Sequence, residues 1–185
     1  VFANLDAFFD NRLEFHGPHK NRYYVAGLDV AAEGDDYTVL MVADATNGHI
    51  VACNRYSGSR ESQEHQVLRD LAEYQAPVCM DVTGVGAYFG MPLRRAGYPI
   101  IDMQFTAMNK FHVIQNLQRV IEHETMRCPP HTILRAELEE YRSHGETARG
   151  IIRYGAPAGY HDDCVVALAL CAHAFVQGGR LRTYA

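Results

Sequence analysis

Apolar residues recur first at the two-residue period of strands and later at the three-to-four-residue period of helices. Residues 23–30, 38–43 and 50–56 are β-rich runs, and Asn47-Gly48 between the second and third predicts a two-residue type I′ hairpin turn. Helical spacing follows over 63–74. A short apolar strand at 77–81, a Gly-rich bend, a helix ending near Arg95 and a strand at 99–102 come next. Val113, Ile114, Leu117, Val120 and Ile121 mark one face of a helix over 109–123, and Ile133, Leu134, Leu138 and Tyr141 mark another after the Pro129-Pro130 break. A last strand is expected at 150–155. A closing helix at 163–176, dense in Ala, Leu and Val, suits tight packing on a sheet. Three strands followed by strand–helix alternation predict an α/β fold: a mixed central sheet, its first three strands antiparallel and the later ones parallel, flanked by helices on both faces.

Residues 1–22 lack a clear period and carry aromatic anchors at Phe2, Phe8 and Phe9 before a His-Gly-Pro-His break. They read as an N-terminal arm or linker, leaving 23–185 as one domain, in line with roughly 100–200 residues per domain. Because the chain opens on Val1, it is expected to be a piece of a longer polypeptide. No apolar run reaches the ~18 residues that span a bilayer, and no signal-peptide pattern is present, so a soluble, non-secreted protein with no membrane contact is expected. Five scattered cysteines without a CxxC pair read as free thiols in a reducing compartment. With 17 Lys+Arg against 22 Asp+Glu, a net charge of −5 does not advertise a nucleic-acid binder. Any phosphate contact must therefore be local or carried by metal ions.

Candidate chemistry lies in carboxylates placed beside buried runs. Asp29 sits inside the first strand (YYVAGLDVA), Asp81 ends APVCMD, and Asp162 and Asp163 open the last helix as HDDCVVALAL. Each has a plainer explanation alone: an edge-strand residue, a helix cap, an N-cap. Together they would form a cluster at the carboxyl ends of the strands, where unpaired acids are costly unless a cation compensates them. Hard divalent ions prefer such oxygen ligands.

The stretches GLDVAAEGDDYTVL, CMDVTGVGAYF, NKFHVIQNLQRVIEHETMRCPP, LRAELEEYRSHG and GYHDDCVVALALCAHAF, read in order, resemble the nuclease half of large terminase subunits of tailed bacteriophages. The opening VFANL resembles the segment by which such chains leave their ATPase domain. The resemblance implies an RNase H-like endonuclease that cuts double-stranded viral DNA with little sequence preference during genome packaging. It makes Asp29, Asp81, Asp162 and Asp163 the catalytic metal ligands, with Asp163 the more direct of the last pair and Asp162 a supporting or N-cap group. Asp36 is an accessory acid for which Asp35 could substitute. The implied cofactors are two Mg²⁺ or Mn²⁺ ions about 4 Å apart, which would activate water and stabilise the leaving oxygen. His161 would orient a ligand or leaving group, or be a plain surface histidine; Lys110 would contact phosphate, or be a solvated lysine. Implied partners are double-stranded DNA, the ATPase domain of the same polypeptide, the portal protein and the small terminase subunit. The implied location is the host cytoplasm, as part of a packaging motor absent from the mature virion.

Other readings fit less well. Gly84, Gly86 and Gly90 with Asp102 give GxGxxxG rather than the dinucleotide spacing, and Asp81 would repel a pyrophosphate. Neither GxxxxGK[ST] nor GxSxG occurs, and His123, Cys128 and His131 supply only three ligands for zinc. Arg94, Arg95, Arg119, Arg149 and Arg153 would line a DNA path if they shared a face. A Holliday-junction resolvase or transposase-like nuclease of the same fold, and a non-catalytic DNA- or portal-docking module, are the alternatives.

Overall fold

The computed structural model describes residues 1–31 and 37–182, with side chains of the last helix described as far as residue 178. Its centre is a five-stranded sheet of β1 (Tyr24–Asp29), β2 (Thr38–Asp44), β3 (Ile50–Tyr56), β4 (Val78–Asp81) and β5 (Ile100–Met103), in the order β3-β2-β1-β4-β5. The β1–β2 and β2–β3 pairs are antiparallel; β1–β4 and β4–β5 are parallel. This is the mixed sheet that the strand-then-alternation pattern predicts.

Helices cover both faces. On one side lie α2 (Arg60–Tyr74) and α3 (Val85–Arg95), packed on Leu28, Leu40, Val42, Val78 and Met80 through Val67, Leu71, Phe89 and Leu93. On the other lie α4 (Ala107–Glu122), α5 (Thr132–Glu140) and α6 (Asp163–Arg182), which bury Val25, Val39, Met41 and Cys79 under Leu117, Leu138, Leu168 and Cys171. Alternation along β1 and β4 assigns these residues to their faces. The N-terminal segment joins the second core. It forms a one-turn helix, α1 (Leu5–Phe8), buries Phe8 and Phe9 there, and bonds through Phe8 O and Asp10 N to the backbone of Cys128.

Three local expectations are corrected. Asn47-Gly48 is not a two-residue type I′ turn: Gly48 has φ +74° but Asn47 does not share the positive φ. The Gly48 N–H donates to Asp44 O, and the Asn47 side chain accepts from the His49 N–H, so the turn is wider. A bulge in β2–β3 pairing at Val42/Ala43 accompanies it. The strand near 150–155 exists as β7 (Ile152–Gly155), but it pairs antiparallel with β6 (Arg142–Glu146) in a separate two-stranded sheet. Finally, Ile133 is exposed, and Glu137 rather than Ile133 shares the buried face of α5 with Leu134 and Leu138.

Candidate metal centre

Helix α6 lies so close to β1 that no side chain fits between them at Gly27, where a Cβ would stand 2.2 Å from both Ala167 O and Cys171 N. That contact sets the level of the acids. Asp29 is two residues beyond Gly27 on the same face of β1, about 7 Å along the strand. Asp163 is one turn before Ala167, about 6 Å along the helix. Asp29 ends β1 and Asp163 opens α6, so the two acids arrive at one end of the sheet. Asp81 ends the neighbouring β4, and the parallel register Gly27↔Cys79, Leu28↔Met80 extends to place it beside Asp29.

Asp29 keeps partial exposure as a residue, yet its carboxyl group is enclosed by protein. Its pKa is raised well above the usual carboxylate range by burial first, then by the negative charges of Asp163, Asp162 and Asp81, with Lys110 opposing. The charges of the other three acids singled out in the sequence thus all reach Asp29. Each of the other three carboxylates holds a protein donor. Asp81 Oδ1 accepts the N–H groups of Thr83 (3.0 Å) and Phe105 (3.2 Å), and the Thr83 hydroxyl donates to it at 2.8 Å. Asp163 Oδ2 accepts the Tyr37 N–H at 3.1 Å, and His161 Nδ1 stands 3.8 Å from it. Asp162 Oδ2 faces Lys110 Nζ at 3.5 Å. Lys110 thus reaches the site as a counter-charge to the acids, and His161 lies beside Asp163. Asp36 and Asp35 lie outside the described residues.

The donor set suits hard divalent cations: carboxylates crowded at a sheet end, with one of them disfavoured as an anion by its own surroundings. In the arrangement described, Asp81, Asp162 and Asp163 each give at least one carboxylate oxygen to a protein donor. Among the described residues no group of three or more His, Cys, Asp or Glu side chains stands ready to hold a metal ion.

The five arginines do not share one face. Arg94 and Arg95 belong to α3, on the opposite side of the sheet from α4, which carries Arg119, and Arg94 pairs with Asp102. That pairing at an exposed position also takes Asp102 away from the ribose-binding role of a dinucleotide fold. Arg153, on β7, lines a cavity of about 220 Å³ with Ala107, Lys110, Phe111, Ile152 and Tyr154. His131 caps α5, its Nδ1 accepting the Leu134 N–H, and Cys128 is buried against the N-terminal segment, so the three-ligand zinc reading finds no support.

Two further residues near the centre are not among the acids and accessory groups that the sequence singles out. Tyr141 is fully buried, its hydroxyl has no hydrogen-bond partner among the described residues, and burial followed by the charges of Asp162 and Asp29 pushes its pKa upward. Glu137, 8% exposed, accepts the N–H groups of Cys164 and Val165 at the start of α6. Burial, the largest influence, pushes its pKa up to about 7 against the pull of these donors. Its signal was available: Glu137 stands at i+3 from Leu134 and i−4 from Tyr141, on the stripe those apolar residues define.

No protein-family model matches the chain. The large terminase subunit of Thermus virus P23-45 is 29% identical over 181 residues, covering 92% of this chain; the chain spans only 37% of that relative's length. The large terminase nuclease of thermophilic phage G20c with bound magnesium superimposes with a TM-score of 0.80 at 26% identity, covering 93% of this chain and 95% of the other. The large terminase nuclease domain of Thermus phage P74-26 gives 0.76 at 25% identity, with 92% of each chain covered. By sequence and by its RNase H-like fold, the chain is similar to the nuclease domains of phage large terminase subunits.

Proposed function

We propose that the chain is a divalent-metal-dependent endonuclease that cuts double-stranded viral DNA, with little sequence preference, during genome packaging. The observation that carries this reading is the convergence of Asp29, Asp81, Asp162 and Asp163 on one end of the sheet, where burial and mutual repulsion disfavour the Asp29 anion. The G20c nuclease, which shares the fold, has been seen with bound magnesium. Two Mg²⁺ or Mn²⁺ ions, when bound, would lower the pKa of an attacking water and neutralise charge on the leaving oxygen.

The residues of the chain supply the rest. Asp29, Asp81 and Asp163 would hold the ions, with Asp162 supporting them. Lys110, 3.5 Å from Asp162, would contact a backbone phosphate, and His161, 3.8 Å from Asp163, would orient a ligand or the leaving group. Asp36 keeps its place in this reading as an accessory acid on sequence grounds. The short span relative to the P23-45 subunit accords with an ATPase domain elsewhere in the polypeptide, with residues 1–22 as the connecting arm. Portal protein and small subunit would be partners of the assembled motor in the host cytoplasm. No helix among the described residues is long and apolar enough to cross a membrane.

The test is cleavage of supercoiled plasmid by the purified chain in Mg²⁺, Mn²⁺ or chelator, beside Asp29→Asn and Asp163→Asn. The reading expects metal-dependent linearisation and then a smear, lost in both variants. Cleavage that survives chelation, or persists in Asp29→Asn, would overturn it. Preference for a four-way junction over linear duplex would favour a resolvase instead.

A further inference from the structure

We propose that Glu137 is a positioning residue of the acidic centre, capping α6 from another helix so that the carboxylates of Asp162 and Asp163 stay turned toward Asp29. This rests on the nuclease reading of that centre.

The first N–H groups of a helix have no partner within it, and an Asp at the N-cap ordinarily folds its own carboxylate back onto the N–H groups two and three residues ahead. Asp162 occupies that position, since its carbonyl accepts the Val166 N–H at 2.8 Å. The two N–H groups an N-cap side chain would take are those of Cys164 and Val165. They donate instead to Glu137 Oε2, at 2.8 and 3.2 Å. With its capping role filled from outside, the Asp162 carboxylate lies against Lys110, and Asp163 Oδ2 receives the Tyr37 N–H.

Glu137 is built to do this and little else. It comes from α5, 27 residues before Cys164, and α5 is fixed by the buried Leu134 and Leu138. Its second oxygen is buried without a hydrogen-bond partner among the described residues. Keeping a carboxylate in such a place is costly, and the positive end of α6 offsets part of that cost. Without Glu137, Asp162, at the N-cap, could take the unpaired N–H groups itself. Turning back to cap them would remove its charge from the centre and rotate the Asp163 step.

The experiment compares wild type with Glu137→Ala and Glu137→Gln, whose amide oxygen still accepts an N–H. Three quantities are read: kcat and KM on linear duplex, Mn²⁺ affinity by calorimetry, and amide exchange at Cys164 and Val165 without metal. Glu137→Ala is expected to lower kcat or Mn²⁺ affinity about 10- to 100-fold, as loss of groups that orient metal ligands does. KM should change less than about 2-fold. Exchange at the two amides should quicken, and Glu137→Gln should recover most of each loss. If Glu137→Ala does not fold, Glu137→Asp, one methylene short of the amides, is read in its place. A folded Ala or Asp variant with wild-type kcat and Mn²⁺ affinity would overturn the proposal. So would unchanged exchange at Cys164 and Val165. If wild type itself neither cleaves nor binds Mn²⁺, the nuclease reading fails and takes this role with it. Altered exchange in Glu137→Ala would then mark the residue as a helix cap alone.

Discussion

The Cβ that Gly27 lacks would lie 2.2 Å from the carbonyl oxygen of Ala167. Strand β1 and helix α6 therefore touch backbone to backbone, and this contact, not any bond between the acids, brings Asp29 and Asp163 to the same level. Sequence distance is large, but the geometry has little slack: two strand residues and one helical turn lead from the contact to the two carboxylates.

Gly27→Ala tests that account. The clashing atoms belong to backbone, so α6 must shift, and overpacking of this kind costs about 1–3 kcal/mol. Urea unfolding should show a loss of that size. Because the shift moves Asp163 relative to Asp29, cleavage at a temperature where the variant is still folded should fall more than stability alone accounts for. A variant that unfolds earlier yet cleaves as wild type while folded would show that the contact does not set the site.

Asp29→Asn should act in opposite directions on stability and on metal binding. Burial and the charges of Asp163, Asp162 and Asp81 disfavour the Asp29 anion in the folded chain, so a neutral amide relieves repulsion. In chelator at pH 7 the melting temperature of the variant should rise by a few degrees. In Mn²⁺ the wild type should gain stability by mass action while the variant gains little. Thermal melts of both proteins, with and without Mn²⁺, check this; a variant less stable in chelator would mean that the Asp29 anion is compensated by something other than a cation.

Much of this arrangement is legible in the sequence because it rests on period and placement. The five central strands carry dense apolar runs, and Asp29, Asp81 and Asp163 each mark an element's end. What escaped was carried by residues whose environment runs against local pattern. Arg142–Glu146 is exposed throughout and has no hydrophobic period, so β6 is visible only through its pairing with β7. Asn47 reads as half of a tight turn until its side chain is seen holding the His49 N–H. Glu137 is one of three glutamates in LRAELEE, and only its place on the Leu134–Leu138 stripe separates it from its surface neighbours. Tyr141 reads as an ordinary core aromatic, because its proximity to Asp29 and Asp162 depends on how α5 meets α6.

Lys110 should matter most when metal is absent. It stands 3.5 Å from Asp162 and opposes the rise in the Asp29 pKa, so it offsets part of the repulsion among the acids. Both partners are about a quarter exposed or more, which limits the contribution to roughly 1 kcal/mol. Lys110→Met should lower the melting temperature in chelator, and saturating Mn²⁺ should narrow the gap, since the ions then supply the missing positive charge. A gap of constant size under both conditions would assign Lys110 to packing rather than to charge.

Asp10 gives the chain an acid-sensitive fastening away from the site. Its carboxylate accepts the backbone N–H and guanidinium of Arg12 and, at 3.2 Å, the guanidinium of Arg127. Arg127 belongs to the stretch whose carbonyl receives the Ile50 N–H, so the contact ties the N-terminal segment to the sheet's β3 side. The Arg12 hydrogen bonds first, with Arg127 assisting, hold the Asp10 pKa well below the usual carboxylate range. A pKa depressed by folding means that the unfolded chain takes up the proton first. The stabilisation is therefore complete above the ordinary Asp value of about 4 and is lost as pH falls below it toward the depressed folded value. Asp10→Asn, which cannot ionise, should be less stable than wild type from pH 7 down to about 5. Below pH about 4 the two melting curves should converge. A difference that stays constant from pH 7 to pH 3 would show that the Asp10→Asn variant loses hydrogen-bond geometry rather than charge, and would remove the carboxylate from any account of acid sensitivity in this segment.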